Sequence, residues 1–368
     1  AVTFSSTNVR RMVNAFDSVN GKVVIAYRDY GDASAGDAIV GTVSGTSISF
    51  GSPTVFNDAV DGIGLNYDVQ SGKMVVSFQD DGGFAHGIAR VGTVSGTSIS
   101  FGTEVTYHAA STSAPEHIYD PTTQKTIIAY KDNAVGNVGE FVEGTVSGTS
   151  ITFSSPVQFS TSDGVPYDMV YDTDAKKAVI VFSNTATSSR GEATVITPSG
   201  NYPNLTSENY IGMSRGVAVR SGSAASVGSD VVFASASTNQ IASAFDSNSN
   251  RIVIAYRDNG NSNQGTAIVG TISGSSISFG SEVVFESGNT SEISITFYDD
   301  TNRVIIAYKD AGNSDYGTAI VGSVDSSDNS ISFGTPTVFE SAHTTFTSVV
   351  EDSNADKVVI CYNDVGNS

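Results

Sequence analysis

A string of eleven residues, GTVSGTSISFG, stands at 41–51 and returns letter for letter at 92–102. Close variants follow: GTVSGTSITFS at 144–154, GTISGSSISFG at 270–280 and GSVDSSDNSISFG at 322–334. Repetition at a fixed period constrains an architecture strongly, because every copy must solve the same packing problem. An aromatic–Asp pair sets the period: Phe16-Asp17, Tyr67-Asp68, Tyr119-Asp120, Tyr171-Asp172, Phe245-Asp246 and Tyr298-Asp299, with Asp352 completing the series. The Asp-to-Asp steps are 51, 52, 52, 74, 53 and 53 residues, so the 368 residues read as seven units with one insertion in the fourth.

Each unit predicts four short strands. The first ends at the aromatic–Asp pair, and a tight turn such as SVNG or SNSN leads into a second, KVVIAYRD. A loop ending in Gly precedes a third strand, DAIVGTV. The turn SGTS and a fourth strand, SISFGSPTVF, close the unit. β-Branched and aromatic residues fill the strands, Gly, Asn, Asp and Ser fill the turns, and no stretch shows a 3.6-residue apolar period. Strands two and three are apolar on both faces (Val23, Val24, Ile25 and Ala26, then Ala38, Ile39 and Val40). A sheet with one wet face would alternate instead. Four-stranded sheets covered on both sides by neighbours predict an all-β fold, a seven-bladed β-propeller with a period of about 52 residues. A linear solenoid is the alternative.

The opening AVTFSS matches the end of strand four in PTVFND and EVVFES, which predicts that the N-terminal strand closes the last blade. No counterpart of GTAIVGTVSGTSISFG follows the final VVICYNDVGNS, and the sequence is expected to be a segment of a longer chain. Residues 1–368 then form a single domain with a replaced hairpin at about 197–237 in the fourth unit.

Charge narrows the function classes. Thirty-eight acids against 18 bases give a net charge of −20, the wrong sign for nucleic acid or anionic lipid. No apolar run approaches the ~18–20 residues of a membrane helix. The lone Cys361 lies in the apolar run VVICY and reads as a buried, inert thiol. Abundant Gly, Ser, Thr and Asn without Trp points to an extracellular or virion protein.

The repeated acids admit two readings. DSNSN at 246–250 and DSNAD at 352–356 resemble the start of a calcium loop. A base follows the turn in every unit, however: Lys22, Lys73, Lys125, Lys177, Arg251, Arg303 and Lys357. An Asx-type turn closed by a hairpin ion pair is therefore expected, with no cofactor and calcium as the weaker alternative. A second acid recurs after strand two (Asp29, Asp80, Asp132, Asp258, Asp310, Asp364), opening a loop of the form D-x-G-N-S-x-x-G. It is expected to accept loop N–H bonds, with the loop glycines at positive φ.

The interior of that loop varies from unit to unit, and all copies share one face of the expected ring. Variable loops on a constant scaffold are where ligand contacts belong. The candidates are Tyr30, Asp32, Phe84, His86, Asn137, Arg190, Asn261, Asn263, Asn313 and Tyr316. Unit four adds Tyr202, Tyr210 and Arg215 from its unrepeated stretch. No catalytic set emerges. The four histidines have no metal-ligand spacing, no G-x-S-x-G elbow occurs, and the Arg cluster and Trp-bearing boxes of a sialidase are not found.

The tandem IAYRDxGN…GTAIVGTVSGTSISFG…VVF pattern resembles repeats in large tail-fibre-like proteins of marine phages and bacteria, and NLTSENYIGM resembles an element of the same proteins. That resemblance covers nearly the whole chain and implies a virion appendage or surface adhesin. The expectation is a non-enzymatic structural or binding module contacting other virion or surface proteins or a host-surface glycan. A secreted carbohydrate-active enzyme is the alternative.

Overall fold

The computed structural model describes residues 1–161, 163–200 and 223–367. Among these the only helical elements are 3-10 turns of three residues, and every other regular element is a β-strand. In the first unit Val9–Asp17, Lys22–Asp29, Ala35–Ser44 and Ser47–Phe50 form an antiparallel sheet in sequence order. Thr54–Asn57 pairs with the third strand too, so strand four is one path broken in the middle. The pattern recurs along the chain. In the longer strands, such as Val283–Tyr298, the first half ends one unit and the second half opens the next.

Strand two is buried on both faces, as its apolar run predicts. Val23 to Tyr27 are at most 1% exposed, and so are Ile252 to Tyr256. Between units an aromatic from strand four meets the aromatic of the next strand two. Phe56–Phe78, Tyr107–Tyr130, Phe233–Tyr256 and Phe285–Tyr308 have ring centroids 5.2–5.3 Å apart. Phe4 makes the same contact with Tyr27, at 5.3 Å. The first and last units also touch: Ser348 Oγ donates to Asn14 Oδ1 at 3.0 Å, and Asn363 donates to Val9 O at 3.1 Å.

The break in strand four explains the final Gly of the repeated string. Gly51 N bonds Val40 O at 3.0 Å, which presses its α-carbon against the SGTS turn of the following unit. A Cβ on Gly51, Gly102, Gly228 or Gly280 would fall below 3.0 Å from the backbone carbonyl oxygen of Thr97, Thr149, Ser275 or Asn329, respectively. Unit three ends in Ser154 instead, and the SGTS hairpin is the part that unit four replaces. The glycine is kept where a neighbouring turn needs the space.

Two local expectations are corrected. The hairpin acid and base do not pair. Asp17, fully buried, accepts the Val19 and Asn20 N–H groups at 3.1 and 3.0 Å, while Lys22 Nζ reaches across to Thr42 Oγ1 at 2.9 Å. In unit six the register places Tyr298, not Asp299, opposite Arg303, so that unit lacks the acid and Asp299 moves into the turn. The second acid behaves as expected. Asp29 accepts from Gly31 N at 2.7 Å and Asp258 from Gly260 N at 2.9 Å. The expected positive φ on a loop glycine is met in the third unit by Gly136, whereas in units one, five and six it falls on Ser34, Ser262 and Ser314. Gly31 and Gly260 serve close approach instead, since a Cβ there would strike Thr7 and Ala236.

Within the stretch 197–237 singled out in the sequence, Ser226–Val227 and the start of Val231–Asp246 pair with Arg190–Thr197 at the positions of a regular fourth strand. Ser199, where the sequence departs from the repeat, is gripped by the preceding unit. Its N–H donates to Glu143 Oε1 at 2.6 Å, and Lys125 donates to its carbonyl at 3.2 Å.

Candidate functional site

Two groups of side chains stand out at the end of the units where strand one begins and strand two ends. The first belongs to the loops after strand two. Tyr30 is 43% exposed and has two guanidinium groups against it, with Arg10 and Arg28 at 4.7 and 4.8 Å from its ring centroid. In the next unit Phe84 is 81% exposed and stacks on His86, with centroids 5.6 Å apart and planes inclined by 25°. Arg28 Nη2 bridges the two loops through Asp81 at 2.9 Å, and Val60 N donates to Ser34 O at 3.0 Å. Both rings are thus held by a fixed frame, Tyr30 against guanidinium groups and Phe84 with one face on His86, while the rest of each ring meets solvent. Cation–π and stacking contacts of this kind orient a ring that would otherwise rotate freely.

Other sequence candidates are less available. Arg190 pairs with the buried Glu192 at 2.8 Å. Asn261 donates its side-chain amide to Gln264 at 2.7 Å, while Asn263 and Asn313 engage only main-chain groups, the Asn263 carbonyl accepting from Thr290 N and the Asn313 N–H donating to the capping Asp310. Tyr316 is half-buried at the start of a third strand, while Asp32 and Asn137 are exposed in their loops. Tyr202, Tyr210 and Arg215 lie outside the described residues.

The second group is a row of strand-one side chains that the sequence reading passed over. Strand one of each unit carries a bulge, often with one residue at positive φ: Arg11, Gly62, Ala114, Gln240, Glu292 and Phe346. Bulges re-aim side chains, and here they couple units. Gln240 accepts Glu292 N at 2.9 Å, and Glu292 in turn accepts Phe346 N at 3.0 Å. Just beyond the bulge stand Val13, Gly64, Glu116, Asp168, Ala242, Ser294 and Ser348. Ser294 Oγ accepts Val349 N at 3.0 Å, and Asp168 accepts Ser243 N at 2.6 Å, each reaching the next unit.

Glu116 breaks the pattern. The N–H it would cap, on Met169, is already taken by Asp168 Oδ1 at 2.7 Å. Glu116 therefore has no hydrogen-bond partner among the described residues. Burial, reinforced by the charge of Asp168, holds its carboxyl well above the ordinary range. Burial also lifts Asp168 to about 6, against the opposing pull of its N–H donors. Beside them His117 is depressed to about 3 by burial, so it is neutral. Its Nδ1–H donates to Asn66 Oδ1 at 3.1 Å, and Nε2 accepts from Ser77 Oγ. The signal for Glu116 and Asp168 was in the sequence, as acids at a position where other units carry small or apolar residues.

Among the described residues one set of donor atoms could hold a cation: His108, Asp132 and Glu140 place ligand atoms within 4.8 Å of one another. The set is already linked internally. Tyr130 Oη donates to Glu140 at 2.9 Å, and His108 Nε2 lies 3.4 Å from Asp132 Oδ2.

No protein-family model matches the chain, and no curated protein does. Solved structures do. A lectin from Burkholderia pseudomallei superposes with a TM-score of 0.63 at 9% identity, covering 97% of this chain and 96% of its own. The periplasmic gluconolactonase of Pseudomonas aeruginosa gives 0.63 at 13% identity, with 93% and 88% covered. The NanB sialidase of Streptococcus pneumoniae gives 0.51 at 11% identity over 98% of this chain, which spans 66% of that protein's length. The fold is therefore propeller-like, all-β and built from repeated units, and it is shared by sugar-binding proteins and enzymes alike.

Proposed function

We propose that this chain is a non-enzymatic binding module, a seven-bladed propeller whose loop face contacts a glycan through exposed aromatic rings. The observation that carries the reading is the pair Tyr30 and Phe84, two exposed rings on adjacent loops bridged by Arg28 and Asp81. Pyranose rings present C–H faces that pack on aromatics, while Arg10, Asp32 and Asp81 supply polar partners for hydroxyls. The rings are oriented beforehand, so little freedom is lost on binding. Seven blades are supported by the spacing of the units. Closure is supported by the Asn14–Ser348 bond and by Phe4, which takes the junction position of Phe56 and Phe285. An adhesin or virion appendage would place such a face against a cell surface, in keeping with the acidic composition and the tail-fibre-like repeats. Localisation of the native protein to purified particles or surface fractions tests that placement.

The direct test is a glycan array followed by titration of the best ligand. Tyr30→Ala and Phe84→Ala should each weaken binding by roughly tenfold, about 1.4 kcal/mol, without lowering Tm. Unchanged affinity in both variants would sink the reading.

The Glu116–Asp168 pair favours a second reading, a carbohydrate-active enzyme. Two neighbouring carboxyls, both raised by burial, offer a protonated acid near the pH at which a general acid works. Turnover on a glycoside panel, abolished by Glu116→Gln, would establish it in place of the first.

A further inference from the structure

At the junction of units two and three, two residues depart from the repeat together. In units five and six the fourth strand carries Glu286 and Glu340, which accept the hydroxyls of the next unit's Tyr308 and Tyr362 at 3.2 and 2.9 Å. Unit two has His108 at that place. Opposite the tyrosine position, the third strands of units five and six carry Thr266 and Thr318, whereas unit three carries Glu140. Tyr130 gives its hydroxyl proton to Glu140 Oε2 at 2.9 Å, so His108 is released from the role of hydroxyl acceptor.

The remaining contacts decide which atoms face one another. With its proton on Glu140, Tyr130 Oη can only accept from His108, which places a hydrogen on Nδ1, 3.3 Å away, and a lone pair on Nε2. Asp132 Oδ1 is occupied by the N–H groups of Ala134 and Val135 at 2.8 and 3.3 Å. Nε2 is buried, makes no hydrogen bond among the described residues, and lies 3.4 Å from Asp132 Oδ2. Two electron-rich atoms so placed repel unless a cation lies between them. A proton would draw them to about 2.7–2.9 Å. A metal ion holds them further apart, since bonds of about 2.1 Å at the tetrahedral angle separate two ligand atoms by about 3.4 Å.

We infer that His108 Nε2, Asp132 Oδ2 and a Glu140 carboxylate oxygen bind a divalent transition-metal ion of the zinc type, joining unit two to unit three. An imidazole beside two carboxylates favours zinc, cobalt or nickel over calcium and magnesium, which take oxygen ligands and more of them. The internal links of the set support the ligands rather than replace the ion. Tyr130 holds His108 through Nδ1 and Glu140 through one oxygen, and the loop N–H groups hold Asp132. Outer partners of this kind fix the tautomer and the ring plane of a ligand. The His108 side chain keeps 16% of its surface exposed, which leaves an approach for the ion and a fourth position for water. The three residues come from three strands of two units, so no short spacing in the sequence marks them. The inference does not depend on what Tyr30 and Phe84 bind.

The test strips the intact protein with a chelator, then titrates it with Zn2+ by calorimetry and with Co2+ by visible absorption. One saturable ion per chain is expected, with the intense bands of four-coordinate cobalt and a Tm that rises with zinc concentration. His108→Ala and Glu140→Gln should each weaken zinc binding by about 100-fold or more, and Tyr130→Phe by about tenfold. Glu140→Gln keeps an acceptor for Tyr130, so its Tm in chelator should match that of the parent. His343→Ala removes an exposed histidine and should bind as the parent does. Three results would each overturn the proposal: no stoichiometric zinc binding, which assigns the gap to a proton on Nε2; parental affinity in both His108→Ala and Glu140→Gln; or calcium bound more tightly than zinc.

Discussion

Glu116 shows how much one side chain can depart from its row. In five of the other units the equivalent position either caps the next unit or carries no polar group, whereas Glu116 presses a second carboxyl toward Asp168. A carboxyl whose folded pKa is raised contributes its stability below the unfolded value and loses it as pH rises through the folded one. Glu116→Gln should therefore raise Tm at pH 8 and leave it nearly unchanged at pH 4, read by thermal melts across that range. His117 has the opposite sign. Its folded pKa of about 3 lies under the ordinary 6.5, so its contribution is intact above pH 6.5 and is lost as pH falls toward 3. His117→Gln should lower stability at pH 7 and flatten the acid limb between those values. Neither behaviour was legible residue by residue, because burial of strand one is set by bulges that the sequence does not announce. What the sequence did offer was contrast between units, and aligning them singles out Glu116 and Asp168.

At the scale of the element, the strand–turn–strand GTVSGTSISFG was legible as framework, and its paired residues Val43 and Ile48 face one another as the alternation requires. Its last glycine was not, because the reason lies in the neighbouring unit's turn. Gly280→Ala should cost about 2 kcal/mol or more, since backbone rather than a flexible side chain must move. Ser154→Gly should be close to neutral or slightly destabilising through chain entropy, about 0.5–1 kcal/mol. Urea melts of the two variants separate these outcomes. The hairpin ion pairs failed for a related reason. A buried Asp with its lone pairs filled by turn amides has little left to offer an ammonium group, and the Lys turns to a hydroxyl in strand three instead.

Across the whole molecule, the repeat period and two-sided apolar strands made the repeated all-β architecture readable before any coordinate, whereas the candidate patch was only half readable. Variable loops could be named, but which side chains stay unengaged depended on local contacts, which tie the Asn261 amide to Gln264 and leave Phe84 exposed. Contact between the ends rests on few groups. Phe4→Ala should lower stability by about 2–3 kcal/mol, measured by denaturant melts, because it empties the ring junction with Tyr27 and Phe50. A net charge of −20 should make Tm rise with added salt as self-repulsion is screened. The seating of each turn on the preceding glycine also gives the array a grammar. A unit can be duplicated or transplanted only behind a neighbour that ends in glycine, so a copy of unit five placed after Ser154 would demand a compensating change one unit upstream. Recombination among such units is therefore polar, with compatibility decided by the unit on the N-terminal side.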